Sequence, residues 1–200
     1  MSEPFNPLDM QNLAHSIITR MVESEATPLA SVPVFAGAGV YAIYYRGDFP
    51  TYASLAAKNK DEWTVPIYVG KAVPSGGRRG LDVGTHETTR TLSNRIRQHA
   101  RSVQDASNLA IEDFATQWLT IQDIWIPLGE SALIRRHRPV WNALVDGFGN
   151  HDPGSGRSNG VRSRWDTLHP GRSWAVKYPA RAETPFQISQ DISEYLRSRT

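Results

Sequence analysis

Two stretches decide the fold, GVYAIYY at residues 39–45 and VPIYVGK at residues 65–71. Both are rich in β-branched and aromatic residues, and the first follows the glycines of a turn, so both read as strands. About twenty residues separate them and hold a short helical candidate at 52–58, so the pair is expected to form a hairpin with an inserted excursion. Side chains alternate across a strand. Tyr41 and Tyr68 therefore face away from Val40 and Ala42, and from Ile67 and Val69, and the two phenols can share one face of the sheet.

Working outward, residues 73–90 (VPSGGRRGLDVGTHETTR) form a polar, glycine-rich loop. Beyond it Leu92, Ile96, His99 and Val103 fall within about 60° of one another at 100° per residue, with Arg97 and Arg101 pointing away, which marks an amphipathic helix. Residues 116–126 (TQWLTIQDIWI) read as a third strand and residues 130–137 as a short helix that Pro139 ends. Toward the N-terminus, Asn6-Pro7 reads as a helix start, Leu13, Ile17 and Met21 recur at helical spacing beside Ile18, and Thr27-Pro28 ends the run. That stripe must cover something, either the chain's own core or a second subunit. Past Asn142, residues 147–160 hold five glycines, residues 157–174 hold four arginines and two tryptophans, and a terminal helix is expected at 188–197.

The whole chain has 200 residues, with 22 Lys+Arg against 20 Asp+Glu and no cysteine. The length suits one domain, or one domain with an extension. No apolar run approaches the ~18 residues that span a bilayer, and no secretory signal opens the sequence. Disulfides, thiolate nucleophiles and cysteine-based zinc sites are excluded, and the cytoplasm is the expected compartment. Eighteen of the basic residues are arginine, and residues 131–181 carry nine Lys/Arg against three Asp/Glu. Arginine suits bidentate recognition of phosphate and guanine, so nucleic acid is favoured over a membrane or an acidic metabolite.

Common metal signatures are absent. His86-Glu87-Thr88-Thr89-Arg90 breaks HExxH at its fifth position, and there is no EF-hand, no Walker loop and no paired-carboxylate nuclease pattern. What remains is Tyr41, Tyr68, Arg95, His99 and Glu130. Arg95 and His99 lie four apart on one helix and are surface neighbours on it, His99 inside the apolar stripe and Arg95 at its edge. Taken singly, His99 suits a core histidine, Arg95 an ion pair and Glu130 an acid at a helix start.

In order, Gly39-Val40-Tyr41, Tyr68-Val69-Gly70, Arg95 with His99, Pro127-Leu128-Gly129-Glu130 and Pro139-Val140-Trp141-Asn142 resemble the GIY-YIG nuclease superfamily over about residues 35–145. The segment from Asp152-Pro153-Gly154 to Trp165-Asp166-Thr167-Leu168-His169-Pro170-Gly171-Arg172 resembles, more narrowly, the small type II restriction endonucleases that cut CCGCGG. The resemblance implies an α+β fold, a small three-stranded antiparallel sheet flanked by helices. The organisation is then a helical extension or arm at 1–30, a catalytic core at 31–145, and a DNA-recognition loop with a C-terminal helix packed on the core at 146–200.

The resemblance also implies a type II site-specific deoxyribonuclease that leaves 5′-phosphate and 3′-hydroxyl ends. One Mg²⁺ is then held by Glu130, Arg95 stabilises phosphate charge, Tyr68 hydrogen-bonds near the phosphate, and Asn142 bridges scaffold and site. Tyr41 is the candidate that activates water. A phenol is ionised only about one part in a thousand at pH 7, a cost of roughly 4 kcal/mol, so it needs a proton acceptor. His99 is placed to be that acceptor or to be the base directly.

For base reading the candidates are Arg157, Arg162, Arg164 and Arg172 with Asp152 and Asp166, and Arg78 and Arg79 in the earlier loop are candidates for phosphate or groove contacts. The expected partners are double-stranded DNA, a second copy in a homodimer and a cognate methyltransferase as functional partner, with the N-terminal helix and its extended connection as candidates for dimer contacts or for an arm around DNA. A nicking repair or mobile-element nuclease of the same superfamily, and a DNA-binding regulator on the same scaffold, stand as alternatives.

Overall fold

The computed structural model describes residues 6, 9–74, 89–150 and 160–199. In chain order its elements are α1 (Met10–Val22), β1 (Thr27–Pro28), β2 (Gly39–Tyr45), α2 (Ala53–Lys58), β3 (Pro66–Ala72), α3 (Thr91–Asp105), β4 (Phe114–Thr120), α4 (Ile126–His137), α5 (Val140–Ala143), α6 (Arg164–Leu168) and α7 (Pro185–Arg197). The sheet is antiparallel with order β1-β4-β2-β3. It has four strands where three were expected. Thr27 and Pro28, read as a helix terminator, pair with Thr116 and Ala115 at the far edge.

β2 lies inside the sheet, and all seven of its residues are buried. Its alternation divides the core. Tyr41, Ile43 and Tyr45 face a cluster that includes Leu92, Ile96 and Val103 of α3, Trp141 of α5, Trp165 of α6, and Ile188 and Ile192 of α7. Val40, Ala42 and Tyr44 face Ile18 and Met21 of α1 and Ile126, Ala132 and Leu133 of α4. Thus α1 covers this chain's own core, where the sequence left a second subunit open. Its start also shifts: Asp9 is the N-cap, its side chain accepting from the Gln11 amide at 2.7 Å.

Two further expectations change. Tyr44 pairs with Pro66 while Ile43 pairs with Tyr68. Ile67 is therefore the extra residue of a β-bulge, and it joins Tyr68 on the α3 side instead of facing away. The third strand stops at Thr120, and the segment to Trp125 turns into α4, which begins at Ile126 with Pro127 in its first turn. Proline there supplies a helical φ and lacks an N–H that would have had no partner. Glu130 consequently sits in the second turn.

Candidate active site

Tyr41 reaches the site because Gly70, its cross-strand partner, has no side chain. A Cβ at residue 70 would overlap the Tyr41 hydroxyl, so the phenol folds over the glycine. Tyr41 Oη and His99 Nε2 share a hydrogen bond of 2.7 Å, and both residues are buried. His99 comes from the apolar stripe of α3, as its spacing predicts. Tyr68 lies beside them, its ring centroid 5.2 Å from that of His99 and 6.2 Å from that of Tyr41.

Burial pushes the Tyr41 phenol well above its ordinary pKa; Tyr68 adds to the rise, and Arg95 opposes it. Tyr68 is raised by burial too, again against Arg95. Arg95 thus acts on both hydroxyls. Its Nη2 also donates to the Gly149 carbonyl at 3.0 Å and its Nη1 to Gln98 Oε1 at 3.2 Å. The site therefore holds two neutral phenols, an imidazole on one of them and a guanidinium between ring and backbone.

Glu130 meets Lys71 Nζ at 2.6 Å and lies near enough for its charge to raise the Tyr68 phenol. Lys71 is opposite Val40 in register, one step from the Tyr41–Gly70 pair, so strand and helix bring the carboxylate to the edge of the tyrosine cluster. Among the described residues no group of three or more His, Asp or Glu is placed to hold a metal ion. A single carboxylate fits Mg²⁺, which keeps several waters and takes further oxygens from a substrate phosphate. The ammonium already held on Oε2 shows that this spot accommodates positive charge.

Asn142 clamps the exposed edge of β3. Its Oδ1 accepts from the Val69 amide and its Nδ2 donates to the Val69 carbonyl, each at 2.8 Å. The side-chain amide thereby replaces a neighbouring strand and fixes the backbone between Tyr68 and Gly70.

The turn 147–150 completes the cluster. Phe148 stacks on His99 at 4.5 Å and meets Tyr68 edge-on at 4.9 Å, and Gly149 brings its backbone against Tyr68 Oη and Arg95. Arg172 holds this turn from beneath, donating to the carbonyls of Gly147, Phe148 and Asn150 at 2.9–3.2 Å and to Asp166 Oδ1 at 2.7 Å. Arg172 and Asp166 are 2% and 3% exposed. Both stood as candidate base readers; here all three guanidinium nitrogens bond within the chain, and Asp166 also accepts from Ser163 Oγ at 2.6 Å. Arg164 is likewise engaged by Glu183, Asp191 and the Leu144 carbonyl, and Arg162 by the carbonyls of Ala175, Val176 and Tyr178. Arg78, Arg79, Asp152 and Arg157 lie outside the described residues.

Sequence reasoning missed Lys71, Phe148 and Gly149. Lys71 directly follows Tyr68-Val69-Gly70 and was within reach of the pattern; nothing local marks Phe148 or Gly149, which arrive through the buried Arg172.

No described helix is long and apolar enough to cross a membrane. No curated protein matches the chain. The family model for the Eco29kI GIY-YIG domain matches residues 33–196, a span that takes in both core strands, all the clustered side chains and the Arg172 support. The chain belongs to the Eco29kI GIY-YIG family of restriction endonucleases, nucleases that act on DNA.

Proposed function

We propose that this protein is a type II restriction endonuclease that hydrolyses double-stranded DNA at a short GC-rich palindrome, CCGCGG, with one Mg²⁺ per active site, leaving 5′-phosphate and 3′-hydroxyl ends. The observation that carries this reading is the buried 2.7 Å Tyr41–His99 hydrogen bond beside Arg95 and Tyr68, with the Glu130 carboxylate at the edge of the same cluster.

In this reading Tyr41 faces the attacking water and His99 stands behind it. As the water oxygen bonds to phosphorus, its proton passes to Tyr41 Oη while the phenolic proton moves to His99 Nε2. The buried phenol need never exist as a free anion, which its raised pKa would make costly. Arg95 stabilises charge growing on the non-bridging phosphate oxygens, and Tyr68 donates its hydroxyl to the same group. The P–O3′ bond breaks, and a proton from solvent completes the 3′-hydroxyl. Glu130 would hold the Mg²⁺, which when bound offsets charge on the departing oxygen. A duplex palindrome presents one scissile bond per strand, so the working form is a two-fold dimer, and a cognate methyltransferase protects host DNA.

Digestion of supercoiled plasmid with Mg²⁺ is the test. Discrete linear fragments with mapped ends at CCGCGG are expected, with no cleavage in chelator. Nicked circles alone would favour the repair-type alternative, and unchanged plasmid the regulator. Glu130→Gln should slow cleavage by on the order of 10²–10³ or more while site binding persists. Near wild-type cutting by that variant would remove Glu130 from the metal.

A further inference from the structure

Beside the acid–base cluster a cleft of about 650 Å³ opens between the end of β3 and α3. Four cations line it, Lys71, Arg95, Arg97 and Arg101, and no carboxylate does among its described lining residues. Asn94, Arg97, Gln98 and Arg101 are all exposed, and their spacing of three, four and seven puts them on one outward stripe of the helix.

Helix electrostatics does not account for this charge. Acids near a helix start and bases near its end are the stabilising arrangement, yet α3 has no acid in its first turn and no base in its last. Its cations Arg95, Arg97 and Arg101 stand before the last turn, where the dipole would have favoured them. The stripe from Asn94 to Arg101 rises about 10.5 Å, equal to about three nucleotide steps of 3.4 Å. Among the described residues of the C-terminal segment, Arg162, Arg164 and Arg172 are turned to internal partners.

We propose that the stripe Asn94–Arg97–Gln98–Arg101 is the phosphate track that carries the cleaved DNA strand out of the active site, with Arg97 and Arg101 each pairing with one backbone phosphate. This rests on the nuclease reading and adds to it the path of the strand. Phosphate contacts position DNA without reading its sequence, so the track serves cognate and non-cognate DNA alike.

The test uses the full chain in chelator, so that DNA is bound and not cut, with one fluorescent duplex containing CCGCGG and one with that site scrambled, titrated from 50 to 200 mM salt. The double variant Arg97→Ala/Arg101→Ala should weaken binding to both duplexes by the same factor. It should also reduce the slope of log K against log salt by about two for each protomer bound. Its melting temperature should match wild type, because both side chains are exposed. An unchanged slope, or a loss confined to the CCGCGG duplex, would overturn the track while leaving the nuclease intact. Failure of the wild-type chain to bind either duplex would instead overturn the nuclease reading, and the track with it.

Discussion

Two tyrosine–histidine pairs lie in this protein, each with a 2.7 Å hydrogen bond and each buried: Tyr41 with His99, and Tyr52 with His169. They differ in what surrounds the shared proton. Trp141 Nε1 gives its hydrogen to Tyr52 Oη at 2.8 Å, and because Asn108 presents its acceptor Oδ1 to His169 Nδ1, the neutral imidazole accepts the Tyr52 hydrogen at Nε2. The other imidazole nitrogen then donates to Asn108 Oδ1 at 3.0 Å, and Asn108 passes the chain on to the Leu168 carbonyl at 2.9 Å. Every proton is assigned, and burial alone holds the imidazole neutral, its pKa lowered to about 3. At Tyr41 the neighbours are a guanidinium and a second phenol, which leave more than one place for a proton. In the proposed mechanism the same two residue types make a lock in one place and a relay in the other, and neighbouring charge is the difference.

Removing the two hydroxyls is the sharpest way to break this comparison. Tyr41→Phe should lower the single-turnover cleavage rate by about 10²–10⁴, whereas Tyr52→Phe should leave the rate per folded molecule within a few-fold of wild type. Stability should run the other way. At Tyr52 both the Trp141 indole and His169 Nε2 lose a partner, at about 1–3 kcal/mol each, and urea unfolding measures that loss. Equal rate losses would make Tyr41 a packing residue.

The buried Arg172 tests whether the relay depends on its support. Arg172→Leu should cost about 3–5 kcal/mol because Asp166 is left as an unpaired buried charge. Arg172→Lys keeps that charge but cannot reach all three turn carbonyls. It should recover part of the stability while cleavage stays slow, since the turn bearing Phe148 and Gly149 is no longer held. Wild-type cleavage by the lysine variant would show that the turn needs no such clamp.

A further effect is one of pH. The unfolded chain takes up a proton at His169 below about pH 6.5, while the folded chain resists it down to about 3. Stability therefore falls as pH drops through that window, with a limiting slope of about 1.4 kcal/mol per unit from this one residue, and this residue adds no dependence above it. His169→Gln should flatten the curve between pH 6 and 4 in urea titrations. An unchanged slope would mean that another group carries it.

Legibility followed range in sequence. The pattern at 39–45 matches β2 residue for residue, and the Leu92–Ile96–His99–Val103 stripe is the buried face of α3, because each is a local periodicity that one buried surface satisfies. β1 escaped notice because two residues carry no periodicity. Residues 121–126 read as more strand because Ile121, Ile124 and Ile126 are apolar, but Pro127 starts a helix there. Arg162, Arg164, Asp166 and Arg172 looked like a basic surface, since composition cannot tell an arginine aimed at solvent from one whose guanidinium bonds carbonyls and carboxylates of its own chain.

From the amino-acid order alone came the hairpin with its excursion, the amphipathic α3 and, through resemblance, the set Tyr41, Tyr68, Arg95, His99, Glu130 and Asn142. Tertiary structure alone decided that Lys71 meets Glu130 across 59 positions, that Arg172 holds the turn over His99, and that Arg97 and Arg101 line a cleft beside Arg95. Short-range pattern encodes which face of an element is apolar. Pairing between distant charges depends on how those elements pack, and that is settled only when the whole core closes.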